Sequence, residues 1–125
     1  MAAWHWPAST IVRVIDGDTI DARLTRDLGF GGLAVLPVRL RLNRINAPKL
    51  SSLAGRRARD RVASLVLGGA VDITTIRSYK YGGPDDQVGE YMAEIVLPVG
   101  NLSDLLIAER LAVAWDGEGV RPVDS

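Results

Sequence analysis

Residues 12–20 have the sequence Val-Arg-Val-Ile-Asp-Gly-Asp-Thr-Ile. β-Branched residues lie on both sides of Asp16-Gly17, a pattern typical of a tight turn that joins the two strands of a hairpin. We therefore predict paired strands over residues 11–15 and 19–24, with Asp18 at the end of the turn.

Residues 39–49 form a second informative segment, with the sequence Arg-Leu-Arg-Leu-Asn-Arg-Ile-Asn-Ala-Pro-Lys. Basic and apolar residues alternate before Pro48, which predicts a strand that begins near Ala34 and ends at about Ile45. Pro37 within this strand has no N–H to donate to a sheet, so it predicts a bulge or an edge position.

The remaining elements follow from hydrophobic spacing and turn residues. Ser51 or Ser52 can cap a helix that ends near Leu67, before two glycines. The other predicted elements are strands at 71–76 and 91–97, a polar loop at 79–89, a short helix at 102–110 and a return to the sheet at 113–115. Five short strands with a helix between the third and the fourth predict a five-stranded OB-fold barrel, mainly β with two or three helices (α+β).

Length and composition limit the possible classes of protein. A chain of 125 residues has room for one domain, which we divide into an N-terminal arm (1–9), an OB-fold domain (10–116) and a C-terminal tail (117–125). The absence of cysteine excludes disulfides and thiolate metal sites. No apolar run approaches the ~20 residues that cross a bilayer, and the N-terminus lacks the regions of a secretion signal. We expect an intracellular (cytoplasmic) protein or a virion component that does not contact membranes.

The two quoted segments together resemble the phosphodiesterase site of the thermonuclease (staphylococcal nuclease-like) family. The resemblance covers about residues 10–116, and the segment from Gly100 to Leu106 resembles the family's final helix. It implies an OB-fold of the staphylococcal nuclease type. In that family the acid ending the Asp-Gly-Asp turn binds Ca²⁺, which implies Asp18 as a metal ligand, Thr19 as a weaker one and Ca²⁺ as the cofactor.

The second segment matches the family's site in part. Arg41 stands at the family's first phosphate-binding arginine, where a guanidinium can grip a phosphate with two hydrogen bonds. Asn46 replaces a metal-binding carboxylate; its amide oxygen can still ligate Ca²⁺, but it adds no negative charge, so metal affinity should fall. Lys49 replaces the glutamate that handles the attacking water, and a protonated lysine cannot act as a base.

The family's last catalytic element is an arginine before the fifth strand. One alignment register puts Glu90 at that position, and another puts Gly83 there by matching Tyr81-Gly82-Gly83 to the family's tyrosine-glycine-arginine signature. The arginine is lost in both registers. An ion pair between Lys49 and Glu90 would preserve local structure while removing catalysis.

Charge is unevenly distributed along a chain whose net charge is zero. Residues 39–61 hold eight basic residues and one acid, whereas residues 81–125 hold nine acids and two basic residues. The basic segment can contact phosphates, or it can face water and pair with the acidic half. The candidate nucleic-acid-binding residues are Arg41, Arg44, Arg56, Arg57 and Tyr81.

The aromatic residues can stack on nucleobases or fill the core. The aromatic residues for which both roles are possible are Trp4, Trp6, Tyr79, Tyr81 and Tyr91. Trp4 and Trp6 share one face if the arm is extended, and such a pair would also suit docking onto a neighbouring subunit.

The residues at two of the substituted positions, Lys49 and Glu90, are incompatible with the hydrolysis that the family carries out. Losing one group that stabilises the transition state lowers the rate by about 10²–10³-fold. We therefore expect a catalytically inactive nuclease homologue that binds nucleic acid or serves as a structural component of an assembly, such as a phage particle. The alternative is a weakly active Ca²⁺-dependent phosphodiesterase that cleaves DNA or RNA through Asp18, Asn46 and Arg41.

Overall fold

The structure is a computed structural model that describes residues 3–81 and 87–116, with the side chains of Lys80 and Tyr81 outside the description. Eight strands and two helices follow one another in these described ranges. They are β1 (Trp4–Asp16), β2 (Thr19–Asp27), β3 (Leu33–Leu42), β4 (Ile45–Asn46), α1 (Leu53–Val66), β5 (Ala70–Tyr81), β6 (Gly89–Leu97), β7 (Gly100–Asn101), α2 (Leu102–Ala108) and β8 (Val113–Ala114).

Five strands close into a barrel. Antiparallel pairing joins them in the order β3-β2-β1-β5-β6, and β6 then pairs in parallel with β3. Closure satisfies the backbone groups along the paired parts of both terminal strands, which is why this architecture needs no partner sheet. The predicted mainly β, five-stranded OB-fold barrel of the staphylococcal nuclease type is confirmed.

The interior of the barrel is filled by alternate side chains of its strands. Ile20, Leu40, Leu42, Ile73 and Ile95 are each 0 % exposed. Because side chains alternate between the two faces of a strand, the residues between these positions face outward from the barrel. Asp21, Arg39 and Arg41 are therefore on the outer face.

Helix α1 forms where its cap and its apolar spacing predict it. Ser52 Oγ accepts a hydrogen bond from Gly55 N at 2.9 Å, which satisfies one of the free N–H groups of the first turn. Ala58, Val62 and Val66 lie on its buried face. The helix packs against the turn of the first hairpin so closely that a Cβ atom on Gly17 would lie 2.7 Å from Ala58 Cβ.

The third strand is not continuous over 34–45, and this part of the prediction is wrong. β3 ends at Leu42, and Arg44 has a φ of 69° in the turn before β4. Two hydrogen bonds of 2.8 Å hold the turn, from Asn43 N to the Ala93 carbonyl and from Ser103 Oγ to the Asn43 carbonyl. The turn takes the chain out of the barrel, so that β4 pairs with β8 instead.

Pro37 occupies an edge position, one of the two predicted outcomes. Its pairing with Arg23 of β2 is regular, and the parallel pairing with β6 begins only at Arg39. The side of β3 that would need the missing N–H therefore has no strand at Pro37.

The first barrel strand extends beyond the N-terminal boundary of the predicted domain. The expected boundary between arm and barrel, at residue 10, lies inside β1, because residues 4–10 pair with β5 from Trp4↔Thr75 to Thr10↔Ala70. The expected tail, 117–125, and residues 82–86 of the predicted polar loop lie outside the described residues. The loop is shorter than predicted, because residues 79–81 belong to β5 and residue 89 begins β6. No helix in the described ranges is long and apolar enough to cross a membrane.

Gly55, the glycine of α1, should not tolerate a side chain. Its Cβ would lie 1.8 Å from the Lys49 carbonyl oxygen, so Gly55→Ala must push the helix away from the preceding loop. We expect a loss of about 2–3 kcal/mol or more in the free energy of unfolding, measured by urea denaturation, despite the better helix propensity of alanine.

Gly69→Ala is the matched control, since nothing lies within 4 Å of its added Cβ. It should change the free energy of unfolding by less than about 0.5 kcal/mol. Equal stability of the two variants would contradict the packing described for Gly55.

Candidate functional site

The carboxylate of Asp18 connects the first hairpin to the chain that follows β3. Asp18 is 1 % exposed. Its Oδ2 accepts a hydrogen bond from Ala47 N at 2.8 Å, and its Oδ1 accepts one from Thr19 Oγ1 at 3.0 Å. Its backbone carbonyl accepts from Leu42 N at 2.8 Å. Asp18 is thus fixed beside the end of β3 and the residue after β4.

Arg41 brings three of the predicted site residues together. Its Nη1 and Nη2 lie 3.5 and 3.4 Å from the two carboxylate oxygens of Asp18, and Nη2 lies 3.4 Å from Asn46 Oδ1. Arg41 is 6 % exposed and Asn46 0 % exposed. These distances are long for hydrogen bonds, so charge attraction in a buried environment contributes more than bond geometry.

Two aromatic rings flank the same guanidinium. Arg41 Cζ lies 5.8 Å from the ring centroid of Tyr79 and 5.3 Å from that of Trp115, within cation–π range. The pairing of β4 with β8 positions Trp115, whose backbone N donates to the Arg44 carbonyl at 2.8 Å. Arg41 Nε is buried and has no hydrogen-bond partner among the described residues. An anionic oxygen is the kind of group that would satisfy this donor.

The donor set does not fit the Ca²⁺ ion that the family resemblance implies. Ca²⁺ takes about six to eight oxygen ligands from carboxylates, carbonyls and waters, and its affinity rises with the negative charge of the ligands. Here the oxygens of Asp18 and Asn46 face the positive charge of Arg41 at 3.4–3.5 Å. No group of three or more His, Cys, Asp or Glu that could hold a metal occurs in the described part of the chain.

Asp16 is a second acid at the turn with an altered affinity for protons. Its Oδ1 accepts a hydrogen bond from Asp18 N at 3.0 Å. The pKa of Asp16 is raised to about 6, mainly because the carboxyl group is buried. The side-chain hydrogen bond to Asp18 and the negative charge of Asp18 raise it further. The turn therefore changes its charge within one to two units of neutral pH.

Comparisons with known proteins add the decisive observation. The chain is 30 % identical over 128 residues to a protein named micrococcal nuclease from Shigella flexneri, an alignment that covers 98 % of this chain and 66 % of the relative. The barrel closes as the same resemblance predicted. The chain is a homologue of micrococcal nuclease, of the thermonuclease-like family.

Two further relatives match parts of the chain. A protein named uncharacterized endonuclease from Escherichia coli O157:H7 is 31 % identical over 119 residues, which cover 90 % of this chain and 66 % of the relative. Protein ParB of Escherichia coli is 35 % identical over 80 residues, 64 % of this chain and 40 % of the relative. No protein-family model matches the chain. The chain thus spans 66 % of the length of its first two nuclease relatives.

Lys49 and Glu90, the two substitutions that oppose hydrolysis, lie in different elements of this nuclease homologue. The Lys49 side chain is exposed, and its carbonyl accepts from Ser52 N at 3.0 Å before α1. Glu90 stands opposite Arg39 in the parallel pairing of β3 and β6. The hydrogen bond to Asp21 is the main reason that the pKa of Arg39 is raised, and the charge of Glu90 adds to it.

The suggested ion pair between Lys49 and Glu90 is therefore not formed: it is absent from the ion pairs of the described residues. Glu90 lies on a barrel strand, whereas Lys49 lies in the loop before α1. Lys49 and Glu90 therefore do not form a charge-reversed version of a pair between the family's glutamate and arginine.

The other predicted nucleic-acid-binding residues have surroundings of their own. Arg44 Nε donates to Glu94 at 2.8 Å and Arg44 Nη1 to Asp104 at 2.8 Å, so its charge is already neutralised. Arg56 donates to two backbone carbonyls of the loop before α1. Arg57 is exposed on α1, and the Tyr81 side chain lies outside the described residues.

Two contributors to the site had no signal in the local sequence. Trp115 reaches Arg41 only because β8 pairs with β4, a contact between segments about 70 residues apart. Asp16 could be recognised only as a turn residue, since its raised pKa depends on burial in the folded chain. Tyr79, one of the predicted stacking residues, has the Arg41 guanidinium over its ring.

Asp16 should make stability fall as pH rises from about 4 to about 6. The folded-state pKa, about 6, lies above the ordinary value of 3.8, so the folded state binds the proton more tightly and loses that advantage across this window. Asp16→Asn keeps an acceptor for Asp18 N and removes the charge. It should unfold at higher temperature than the parent protein at pH 7.5, by roughly 3–8 °C, and at a similar temperature at pH 4.

Asp60→Asn provides the control for the change in net charge, because Asp60 is exposed on α1. Its effect should be small at both pH values. The raised pKa would be contradicted if the difference in unfolding temperature between Asp16→Asn and the parent protein did not increase from pH 4 to pH 6.

Proposed function

We propose that this nuclease homologue binds single-stranded nucleic acid at the Arg41 site and does not hydrolyse it. The supporting observation is the state of the Arg41 guanidinium. It is buried, it is flanked by the rings of Tyr79 and Trp115, and its Nε has no partner among the described residues.

The chemistry of a nucleotide matches this arrangement. A phosphate oxygen can accept from Arg41 Nε, and a guanidinium bound to phosphate forms stronger hydrogen bonds than a neutral donor does. Trp115 is half-buried and lies at the edge of the site. An unstacked base can stack on such a ring, whereas bases within a duplex cannot reach it.

The relatives support nucleic acid as the class of ligand. Two of them are named as a micrococcal nuclease and an endonuclease. Because the chain spans 66 % of their length, their full activity is not transferred to this chain.

The absence of hydrolysis is supported by three side chains. Asn46 provides an amide at the position of a metal-binding carboxylate, Lys49 provides an ammonium at the position of the base, and Glu90 brings a negative charge to the position of the second arginine. The attraction between Arg41 and both Asp18 and Asn46 further opposes a cation there. Binding should therefore need no Ca²⁺.

Removal of the guanidinium should weaken binding to an oligonucleotide. We expect Arg41→Met to lower the affinity for an eight-nucleotide single-stranded DNA about 10–100-fold, as measured by fluorescence anisotropy, because a charge-assisted hydrogen bond is lost. Arg41→Lys keeps the charge beside Asp18 and separates loss of binding from loss of folding; it should bind at an intermediate level.

Arg23→Met is the control of equal charge, since Arg23 is exposed on β2. It should reduce the affinity by less than about threefold, and the slope of binding against salt should decrease measurably only for Arg41→Met. Equal effects of Arg41→Met and Arg23→Met would contradict the site, and no binding at low salt would favour the assembly role.

Hydrolysis separates the proposal from the weakly active phosphodiesterase. The parent protein should release no product from single-stranded DNA or RNA in the presence of Ca²⁺. The triple variant Asn46→Asp, Lys49→Glu, Glu90→Arg restores the charges of the family site and should gain measurable cleavage. Cleavage by the parent protein that disappears in Asp18→Ala would contradict the proposed loss of catalysis.

A further inference from the structure

A second cavity lies at the mouth of the barrel, separate from Arg41. Its volume is about 250 Å³, and side chains from all five barrel strands line it. Leu36 and Val38 of its wall lie on the face of β3 opposite to Arg39 and Arg41, because side chains alternate along a strand. Leu24 of β2, also in the wall, is five residues from Thr19, or about 17 Å along the strand.

The aromatic part of the wall is held in place by hydrogen bonds. Trp6 Nε1 donates to Thr75 Oγ1 at 3.0 Å, and Thr75 Oγ1 donates to the Trp4 carbonyl at 3.3 Å. The Trp4 and Trp6 ring centroids lie 6.4 Å apart, and Arg26 Cζ lies 4.8 and 4.6 Å from the two rings. A wall fixed in this way loses little conformational freedom when a ring binds.

Strand β5 contributes four consecutive residues to this cavity. They are Thr75, Ile76, Arg77 and Ser78. A regular strand would turn only alternate residues to one side, but the register of β5 against β6 shifts between Thr75 and Arg77 and again between Ser78 and Lys80. Such bulges redirect side chains and are frequent next to binding sites.

Two polar groups of this segment suit a ligand. Ser78 Oγ is buried and has no hydrogen-bond partner among the described residues. A buried hydroxyl without a partner is costly, and a ligand that supplies one removes this cost. Arg77 is exposed and takes part in no ion pair of the described residues. Arg77 lines the cavity, and Arg26 contacts the rings of Trp4 and Trp6 in its wall, so both of these charged groups are cationic.

Shape, polarity and charge select the class of ligand. A cavity of about 150 Å³ already admits benzene, so one of about 250 Å³ admits a bicyclic ring. Apolar and aromatic walls favour a flat ring, and Ser78 Oγ favours a ring with polar atoms at its edge. The two arginines favour an anionic substituent. A purine nucleotide combines all three properties.

We propose that the cavity lined by Trp6, Ser78 and Tyr91 binds a purine base, with the phosphate of the same nucleotide on Arg77. The nucleotide is either free or part of a single strand. The site does not use Arg41, so it exists whether or not the Arg41 site binds nucleic acid.

Amide chemical shifts of the uniformly ¹⁵N-labelled protein test this site. Adenosine monophosphate should shift the amides of residues 75–78 and the Trp6 indole N–H, with a dissociation constant on the order of 10⁻⁴ M. Adenosine, which lacks the phosphate, should bind about five- to tenfold more weakly. Shifts confined to residues around Arg41, or none at ~10 mM ligand, would overturn the proposal.

Variants of the two polar groups separate their roles. Arg77→Gln should bring the affinity for adenosine monophosphate down to that for adenosine and leave adenosine unchanged, whereas Arg23→Gln should change neither. Ser78→Ala should weaken adenosine monophosphate about threefold to tenfold. The proposal fails if Arg77→Gln weakens adenosine and adenosine monophosphate equally.

The compound 1-naphthyl phosphate has a bicyclic ring without polar edge atoms. It should bind more weakly than adenosine monophosphate, and Ser78→Ala should not weaken it. Equal or tighter binding of 1-naphthyl phosphate to the parent protein would indicate an aromatic side chain of a protein partner as the occupant, and would overturn the assignment of a base.

Single-stranded oligo(dA) distinguishes the two sources of the nucleotide. If a single strand supplies the base, oligo(dA) should shift the amides of residues 75–78 in the parent protein and also in Arg41→Lys. If only free nucleotides enter the cavity, oligo(dA) should leave these amides unshifted, whereas adenosine monophosphate should still shift them. Failure of the Arg41 site would instead appear as unchanged oligonucleotide affinity in Arg41→Met, with these shifts intact.

Discussion

The buried carboxylate of Asp18 is the constraint on which the rest of the site depends. It accepts hydrogen bonds from Ala47 N and Thr19 Oγ1, and it lies beside the guanidinium of Arg41. These contacts join the first hairpin, the end of β3 and the segment after β4. Removing one partner from a buried ion pair costs on the order of 3–5 kcal/mol, because the remaining charge stays buried. Any change at Arg41 is therefore also a change in the stability of the turn.

The same interaction explains why a nuclease-like fold can persist at a site poorly suited to a cation. A guanidinium between Asp18 and Asn46 supplies the positive charge that the carboxylate needs in a buried environment. The turn is then stabilised by the chain's own cation. A second, partly protonated acid at Asp16 reduces the negative charge of the turn further.

Outside the site, two arginines of the basic segment form ion pairs with the acidic half of the chain. Arg44 pairs with Glu94 and Asp104, and Arg61 pairs with Glu109 at 2.9 Å. Burial acts to raise the pKa of Glu94, but the hydrogen bonds from Arg44, Asn101 and Asn43 together with the charge of Arg44 outweigh this effect, and the pKa is lowered. Exposed pairs of this kind contribute about 0–1 kcal/mol each. Their main effect is to make these arginines less available to phosphate than their number in the sequence suggests.

The sequence by itself determined the hairpin turn at Asp16-Gly17, the helix capped by Ser52 and the barrel with its nuclease-like site of Asp18, Arg41 and Asn46. Each of these depends on local turn chemistry, on alternation or on a motif within a few residues, all of which can be recognised along the chain. Only the tertiary structure decided that Trp115 covers Arg41 and that Arg44 faces acids. It also decided that Trp6 and Ser78 share a cavity. Such contacts join residues that are tens of positions apart, and they arise from barrel closure, the β4–β8 pairing and the bulges of β5, which no local pattern specifies.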